Sequence, residues 1–154
     1  MLTATELIHL TYKGNFTLEC NATVLECRPA ATAESCSDGE SDVFEIVLDR
    51  TVLHPQGGGQ PTDHGAISSG DVSVEIDRVT SDRETGIVLH AGKISGEGSP
   101  RLPFRPGDKV TVVVDADRRR LLSECHSAGH VIDQAMARIG RRMPPTKVRS
   151  DQWA

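Results

Sequence analysis

Aromatic residues, cysteines and long apolar runs are all scarce in this sequence. The 154 residues include three Phe, one Tyr and one Trp, so a hydrophobic core has to consist mainly of Val, Ile, Leu and Ala. The four cysteines form no CxxC pair, which excludes a disulfide scaffold and favours free thiols. No segment approaches the roughly 18 consecutive apolar residues of a membrane helix, and the N-terminus lacks a secretory-signal pattern. We therefore expect a cytoplasmic protein with one domain, or one domain and part of a second.

Acidic residues outnumber basic ones, but the excess lies in the first three quarters of the chain. The formal net charge is −5, whereas from Arg118 onward eight basic residues accompany only three acidic ones. The net charge argues against a generic nucleic-acid coat. An acidic body with a basic end could still place a polyanion against one face, and a solvated basic tail explains the charge alone equally well.

Alternating apolar residues predict short strands over roughly the first 115 residues. The alternation is clearest at residues 43–49, 72–77 and 110–114, and it is weaker at residues 7–12, 16–20, 23–27, 66–69 and 87–91. Residues 29–42 and 92–108 are rich in small or turn-forming residues and are predicted loops. Strands spaced in this way favour a small barrel or sandwich over alternating βαβ units.

Helical periodicity occurs once, over residues 117–139. An apolar arc on this helix predicts a face packed in the core, and its members are Leu121, Leu122, Cys125, Gly129, Ile132, Ala135, Met136 and Ile139. Asp115 or Asp117 can cap the start, and Gly140 is a plausible left-handed stop. The fold class predicted is α+β, mostly β, with residues 1–115 forming the β domain and residues 116–154 a helix with a basic tail.

Two histidines four residues apart, His126 and His130, lie on one side of the predicted helix. Neutral imidazoles at this spacing can point at one zinc ion, and Asp133 could accept a hydrogen bond that fixes a ring tautomer. The spacing supplies only two ligands, and two half-exposed helix histidines are a simpler explanation of the pattern alone.

A glycine-rich segment, His54-Pro-Gln-Gly-Gly-Gly-Gln-Pro61, is followed by Asp63, His64 and Gly65. Successive glycines allow positive φ, and free amides there can bind a carboxylate, a phosphate or an oxyanion. Gln60 adds both a donor and an acceptor. The segment is neither a P-loop nor a dinucleotide fingerprint, and a plain turn between strands would account for three glycines by themselves.

Together and in this order, the two segments resemble a known family. LHPQGGGQPTDHGAI resembles the glycine-rich motif of the alanyl-tRNA synthetase editing domain and the free-standing AlaX proteins, and DRRRLLSECHSAGHVIDQAM resembles their first zinc motif. The resemblance implies a β-barrel-like domain followed by the first long helix of an alanyl- or threonyl-tRNA synthetase type of editing domain. It also implies a zinc-dependent hydrolase that removes serine or glycine from mischarged alanine tRNA in trans.

The resemblance assigns roles to particular residues. His126 and His130 would be zinc ligands, while Gly57, Gly58, Gly59 and Gln60 would line the editing pocket. Phosphates at the acceptor end of the tRNA would meet a set of basic residues, namely Arg118, Arg119, Arg120, Arg141 and Arg142.

The sequence also departs from the family pattern. The family's second zinc motif, Cys-x-x-x-His, has no counterpart because no Cys or His follows His130, so two of the expected four ligands are present and we expect a C-terminally shortened relative. His54 and Gln56 stand where the family more often has an aromatic residue and a glutamate. Two alternatives stay open: an inactive tRNA- or synthetase-binding module, and a metal site rebuilt with His54, His64 or Cys125. We further expect exposed apolar surface on the helix, covered by an oligomer or a partner.

Overall fold

Six antiparallel strands close into a barrel in the computed structural model, which describes residues 2–30, 43–95 and 102–141. The strands in chain order are β1 (Glu6–Leu7), β2 (Glu19–Pro29), β3 (Val43–Leu48), β4 (Arg50–Thr51), β5 (Gly65–Ser69), β6 (Val72–Ser81), β7 (Val88–Ile94) and β8 (Lys109–Val114). The barrel order is β2-β3-β7-β6-β5-β8, with β8 pairing back to β2, while β1 and β4 form a separate parallel pair. The predicted mostly β, α+β fold is confirmed.

The barrel interior is aliphatic, as the scarcity of aromatic residues requires. Along β8, Val110, Val112 and Val114 are buried and the residues between them are more exposed, because successive side chains point to opposite faces of a strand. A bulge between Ile76 and Arg78 of β6 shifts the alternation, so that Val79 also faces the core. The three clearest strand predictions therefore correspond to β3, the first part of β6, and β8.

Two weaker strand predictions near the N-terminus, residues 7–12 and 16–20, are correct only at Leu7 and at residues 19–20. Residues 8–10 and 14–16 are 3-10 turns, and β2 begins only at Glu19. The Thr11 hydroxyl donates to the Ile8 carbonyl at 3.0 Å and accepts from the Gly14 N–H at 3.0 Å. These local bonds offer the backbone an alternative to a strand ladder. The loop predicted at residues 92–108 begins too early, because β7 continues to Ile94. The loop predicted at residues 29–42 lies mostly outside the described residues.

One helix, α1 (Ala116–Arg138), follows the barrel and begins and ends one residue before its predicted bounds. The Asp115 carboxylate accepts from the Arg118 N–H at 3.0 Å and caps the start, and Gly140 with φ of 78° lies just after the end. The prediction that the apolar arc is packed in the core is wrong, whereas the expectation of exposed apolar surface on the helix is confirmed. Leu121, Ile132 and Ile139 are each more than half exposed, so this face of α1 is largely open among the described residues.

The expectations about cysteines and membrane helices can be compared with the structure. Cys20, Cys27 and Cys125 are free thiols, whereas Cys36 lies outside the described residues. No helix in the described part of the chain is long and apolar enough to cross a membrane.

Candidate functional site

The glycine-rich segment forms a tight turn between β4 and β5. The Gly57 N–H donates to the Gln60 carbonyl at 3.2 Å, and the Gln60 N–H donates to the Gly57 carbonyl at 2.9 Å. Between them, Gly58 and Gly59 have φ angles of 59° and 85°, which residues with a Cβ atom rarely adopt. Neither of these two glycine N–H groups donates to any group that the structure describes, so the tip of the turn presents two free amides.

The base of this loop is closed by Asp63. Its Oδ2 accepts from the His54 N–H at 2.7 Å, and its own N–H donates to the His54 carbonyl at 3.1 Å. One residue earlier, the Thr62 hydroxyl accepts from the Val79 N–H of β6 at 2.8 Å. The loop is thus fixed to the barrel at its base and free at its tip.

A buried ion pair joins the loop to helix α1. Asp63 is fully buried and pairs with Arg119, a residue of the first turn of α1. The Nε and Nη2 atoms of Arg119 both donate to Asp63 Oδ2, Nε at 2.8 Å. The same Nη2 donates to the Val52 carbonyl at 2.6 Å. Nearby, Arg118 Nε donates to the Thr62 carbonyl at 3.2 Å. The two sequence segments are therefore held together, although 56 residues separate Asp63 from Arg119.

The two helix histidines face each other at the solvent. Their Nε2 atoms are 3.0 Å apart and their ring centroids 4.7 Å apart, and both side chains are exposed. Two nitrogens bound to one tetrahedral zinc, each at 2.0–2.1 Å, would be about 3.3 Å apart, so His126 and His130 fit two positions of such an ion. No group of three or more His, Cys, Asp or Glu residues that could hold a metal is found among the described residues.

Two more histidines lie on the other side of the loop. The rings of His9 and His54 are 4.7 Å apart between centroids. Burial is the main reason that the pKa of His9 is lowered to about 4 and that the pKa of His54 is lowered; the carboxylate of Asp63 opposes the lowering at His54, and the guanidinium of Arg119 adds to it. The Nδ1 atoms of His9 and His54 and Oδ1 of Asp63 have no partner in the described structure.

The structure distributes the predicted tRNA-contacting arginines unevenly. Arg119 is only 7% exposed and its guanidinium is bound by Asp63 and Val52, so the prediction that it holds a phosphate is corrected. Arg118 is half-buried. Arg120 is exposed and pairs with Glu124 at 2.8 Å, and Arg141 is exposed; Arg142 lies outside the described residues.

The other predicted site residues lie in the glycine turn and on α1. Gly57 to Gly59 and Gln60 share the turn, with Gln60 half-buried. No described residue forms a hydrogen bond or ion pair with the exposed Asp133, and its role toward the histidines stays a prediction. Sequence reasoning missed His9 and the structural role of Arg119, and nothing in their local sequence distinguishes them from ordinary surface residues.

Comparisons with known proteins identify the family of this chain. The family model of class II (A) tRNA synthetases matches residues 3–118. The chain is 29% identical over 128 residues to the alanyl-tRNA editing protein AlaX-L of Pyrococcus horikoshii, covering 83% of this chain and 28% of that protein. It is 37% identical over 123 residues to the alanyl-tRNA editing protein Aarsd1 of Bos taurus, covering 78% and 24%.

Alanine–tRNA ligases match over a similar region. The ligase of Methanosarcina acetivorans is 38% identical over 101 residues, which are 64% of this chain and 10% of the ligase. The chain spans about a quarter of the length of the two editing proteins and about a tenth of this ligase. By its family model and its relatives, the chain belongs to the family of alanyl-tRNA synthetase editing domains and free-standing AlaX proteins.

Proposed function

We propose that this protein is an alanyl-tRNA-editing hydrolase that removes serine or glycine from mischarged alanine tRNA in trans. The observation that carries the proposal is the Asp63–Arg119 ion pair, which joins the glycine-rich loop and the histidine-bearing helix at one place in the molecule. Two relatives of this chain are named alanyl-tRNA editing proteins, which supports the same activity. Such a protein would act in the cytoplasm, where charged tRNA is used.

The reaction would be hydrolysis of the ester between the amino acid and the 3′ end of the tRNA. The free N–H groups of Gly58 and Gly59 can donate to the oxyanion that develops as water attacks the ester carbonyl. The Gln60 amide can position the ester, because it offers both a donor and an acceptor. Asp63 holds the base of the loop, so these groups are oriented before the substrate binds.

Zinc is the expected cofactor, with His126 and His130 as two of its ligands, and the spacing of their Nε2 atoms supports that role. When bound, zinc would supply Lewis-acid chemistry or orient the substrate amine.

Basic residues near the start of α1 would hold the phosphates of the acceptor end. Arg118 and Arg120, with Arg141 at the other end of the helix, are the described members of this set that reach solvent. Such contacts release counterions, so binding should weaken as salt increases. Selectivity would follow from pocket polarity, because a buried group that pairs with the serine hydroxyl is left unpaired by alanine.

A second candidate is a catalytically inactive module that binds tRNA or a synthetase. It is favoured by one observation: among the described residues, no third His, Cys, Asp or Glu joins His126 and His130. Such a module would bind alanine tRNA without changing its charged state.

Deacylation by the intact chain tests the proposal. Alanine tRNA charged with radiolabelled serine, glycine or alanine is incubated with zinc-loaded protein, and release of the amino acid is followed against the spontaneous rate. We expect faster release of serine or glycine than of alanine. Binding of the tRNA without any acceleration would support the second candidate, and equal release of all three amino acids would contradict editing.

A further inference from the structure

Two aromatic rings stand exposed near the N-terminus. Tyr12 is 88% and Phe16 73% exposed, and their ring centroids are 6.1 Å apart at an interplanar angle of 77°. The other two described aromatic residues of the Phe, Tyr and Trp type, Phe44 and Phe104, are buried in the core. In a sequence so poor in aromatic residues, a solvent-facing pair is not accounted for by packing.

The segment that carries the pair is held by local hydrogen bonds. The Thr17 N–H donates to the Gly14 carbonyl at 3.0 Å, and the Thr17 hydroxyl donates to the Lys13 carbonyl at 3.2 Å. A Cβ added to Gly14 would lie 1.9 Å from the Ile8 carbonyl oxygen, so the backbone is closely packed there. The two rings are thus presented by an ordered turn, which lowers the entropy lost when a ligand binds.

Both ends of the same segment are attached to the candidate site. On the inner side of the turn, the His9 ring lies 4.7 Å from the ring of His54, which begins the glycine-rich loop. At the other end, the Leu18 carbonyl accepts from the Val114 N–H at 2.8 Å, immediately before the cap of helix α1. The turn that carries the aromatic pair is therefore tied on one side to the glycine-rich loop, through His9, and on the other to the residue before the cap of α1, through Leu18.

We propose that Tyr12 and Phe16 form a stacking platform for the unpaired bases at the 3′ end of the tRNA; this inference rests on the proposed function. The 3′ end must reach the glycine-rich loop, and the bases before it are single-stranded. Bases of any sequence can stack on an aromatic face. Lys13 is exposed and lies between the two aromatic residues in sequence, so it can supply the positive charge that a flanking phosphate requires.

Affinity for two RNA hairpins tests the platform. One hairpin ends in four unpaired 3′ nucleotides and the other is blunt, and neither is aminoacylated. We expect the intact protein to prefer the tailed hairpin, and the Tyr12→Ala, Phe16→Ala double variant to lose that preference, with about tenfold weaker binding for each ring removed. Leu10→Ala is the matched control, because Leu10 is an equally exposed apolar residue of the same segment without an aromatic face.

NMR of the Tyr12 ring provides a second test of the platform. Tyr12 is the single tyrosine of the chain, so NMR of protein with labelled tyrosine reports on this ring alone. We expect an upfield shift of its signals on addition of the tailed hairpin and none with the blunt one. An unchanged tail preference in the double variant would overturn the platform. A change in oligomer size with unchanged RNA affinity would also overturn it and would identify a protein contact.

The test of the aromatic platform and the test of editing activity can give different answers. Loss of the tail preference supports the platform even where mischarged tRNA is not hydrolysed. Hydrolysis of seryl-tRNA at the wild-type rate by the double variant, with the tail preference intact, would overturn the platform and leave the editing activity standing.

Discussion

The fully buried carboxylate of Asp63 is ion-paired with Arg119, and this contact fixes the glycine-rich loop against the first turn of helix α1. Asp63 also accepts from the His54 N–H, and Arg119 also donates to the Val52 carbonyl. The loop, the helix and the segment after β4 therefore share one hydrogen-bonded junction.

Breaking this junction should destabilise the whole chain. Arg119→Ala or Asp63→Ala leaves its partner charged and buried, so each should lower the free energy of unfolding by about 3–5 kcal/mol. The double variant should lose less than the sum, since both replacements remove the same pair. Urea unfolding measures the three values. Arg120→Ala, which removes an exposed ion pair on the same helix, should change stability little. Additive losses at Asp63 and Arg119 would contradict the coupling.

The turn at the loop tip predicts unequal effects of two neighbouring glycine substitutions. Gly59→Ala forces a Cβ onto a residue with φ of 85° and should cost about 1–2 kcal/mol or shift the turn. Gly57→Ala is the control, because Gly57 has no positive φ and its added Cβ would lie 4.0 Å from the nearest atom. Thermal unfolding and deacylation should both be impaired more by the first change, and equal effects would contradict the turn geometry.

Buried His90 makes stability depend on pH. Its Nδ1 donates to the Ile46 carbonyl at 3.0 Å, and its Nε2 lies at hydrogen-bond distance, 2.9 Å, from the Thr51 hydroxyl. Burial lowers the pKa of His90 to about 4, from about 6.5 when unfolded. The unfolded chain therefore binds more protons between these values, so stability is complete above pH 6.5 and declines as the pH falls toward 4.

This pH effect should reach about 3 kcal/mol for His90. His9, whose pKa is also lowered to about 4, adds to the loss over the same pH window. Urea unfolding at pH 7.5 and pH 4.5 measures the total, and NMR titration of the ring assigns it to His90. A His90 pKa near 6.5 in the folded protein would contradict the account.

Gln60 should contribute to hydrolysis more than to folding. Its side chain lies at the end of the glycine turn, and Gln60→Ala should reduce kcat/KM for deacylation about tenfold to a hundredfold with nearly unchanged stability. Gln56→Ala is a matched control, since it removes the same side chain from an exposed position of the same loop. Equal loss of activity and stability in Gln60→Ala would make the loop structural only.

Zinc content should depend on the helix pair. We expect stoichiometric zinc in the purified protein by elemental analysis, and none in the His126→Ala, His130→Ala double variant. Cys125→Ser should retain zinc, because Cys125 is not among the proposed ligands. Unchanged metal in the double variant would remove these histidines from any metal site.

Some of this architecture could be predicted because it is local. Alternation in β8 and in β3 follows from the two-residue period of a strand with one buried face, and Asp115 and Gly140 mark the ends of α1 by capping chemistry. The glycine turn and the facing pair of His126 and His130 likewise follow from short spacings in the sequence.

Other features depend on distant partners and could not be predicted. Nothing near Arg119 indicates that its partner is Asp63, and three consecutive arginines suggest a phosphate-binding surface equally for all three. The 3-10 turns around Thr11 replace the predicted strands because a side chain satisfies the backbone locally. Periodicity identified the apolar arc of α1 but could not show that this arc is exposed among the described residues.

Single-turnover deacylation of serine-charged alanine tRNA tests the central claim most directly. Zinc-loaded wild-type protein is compared with the His126→Ala, His130→Ala double variant at equal RNA occupancy. The account predicts rapid serine release by the wild type, slow release of alanine from the matched tRNA, and release at the spontaneous rate by the variant. Serine release at the spontaneous rate by the zinc-loaded wild-type protein would contradict it.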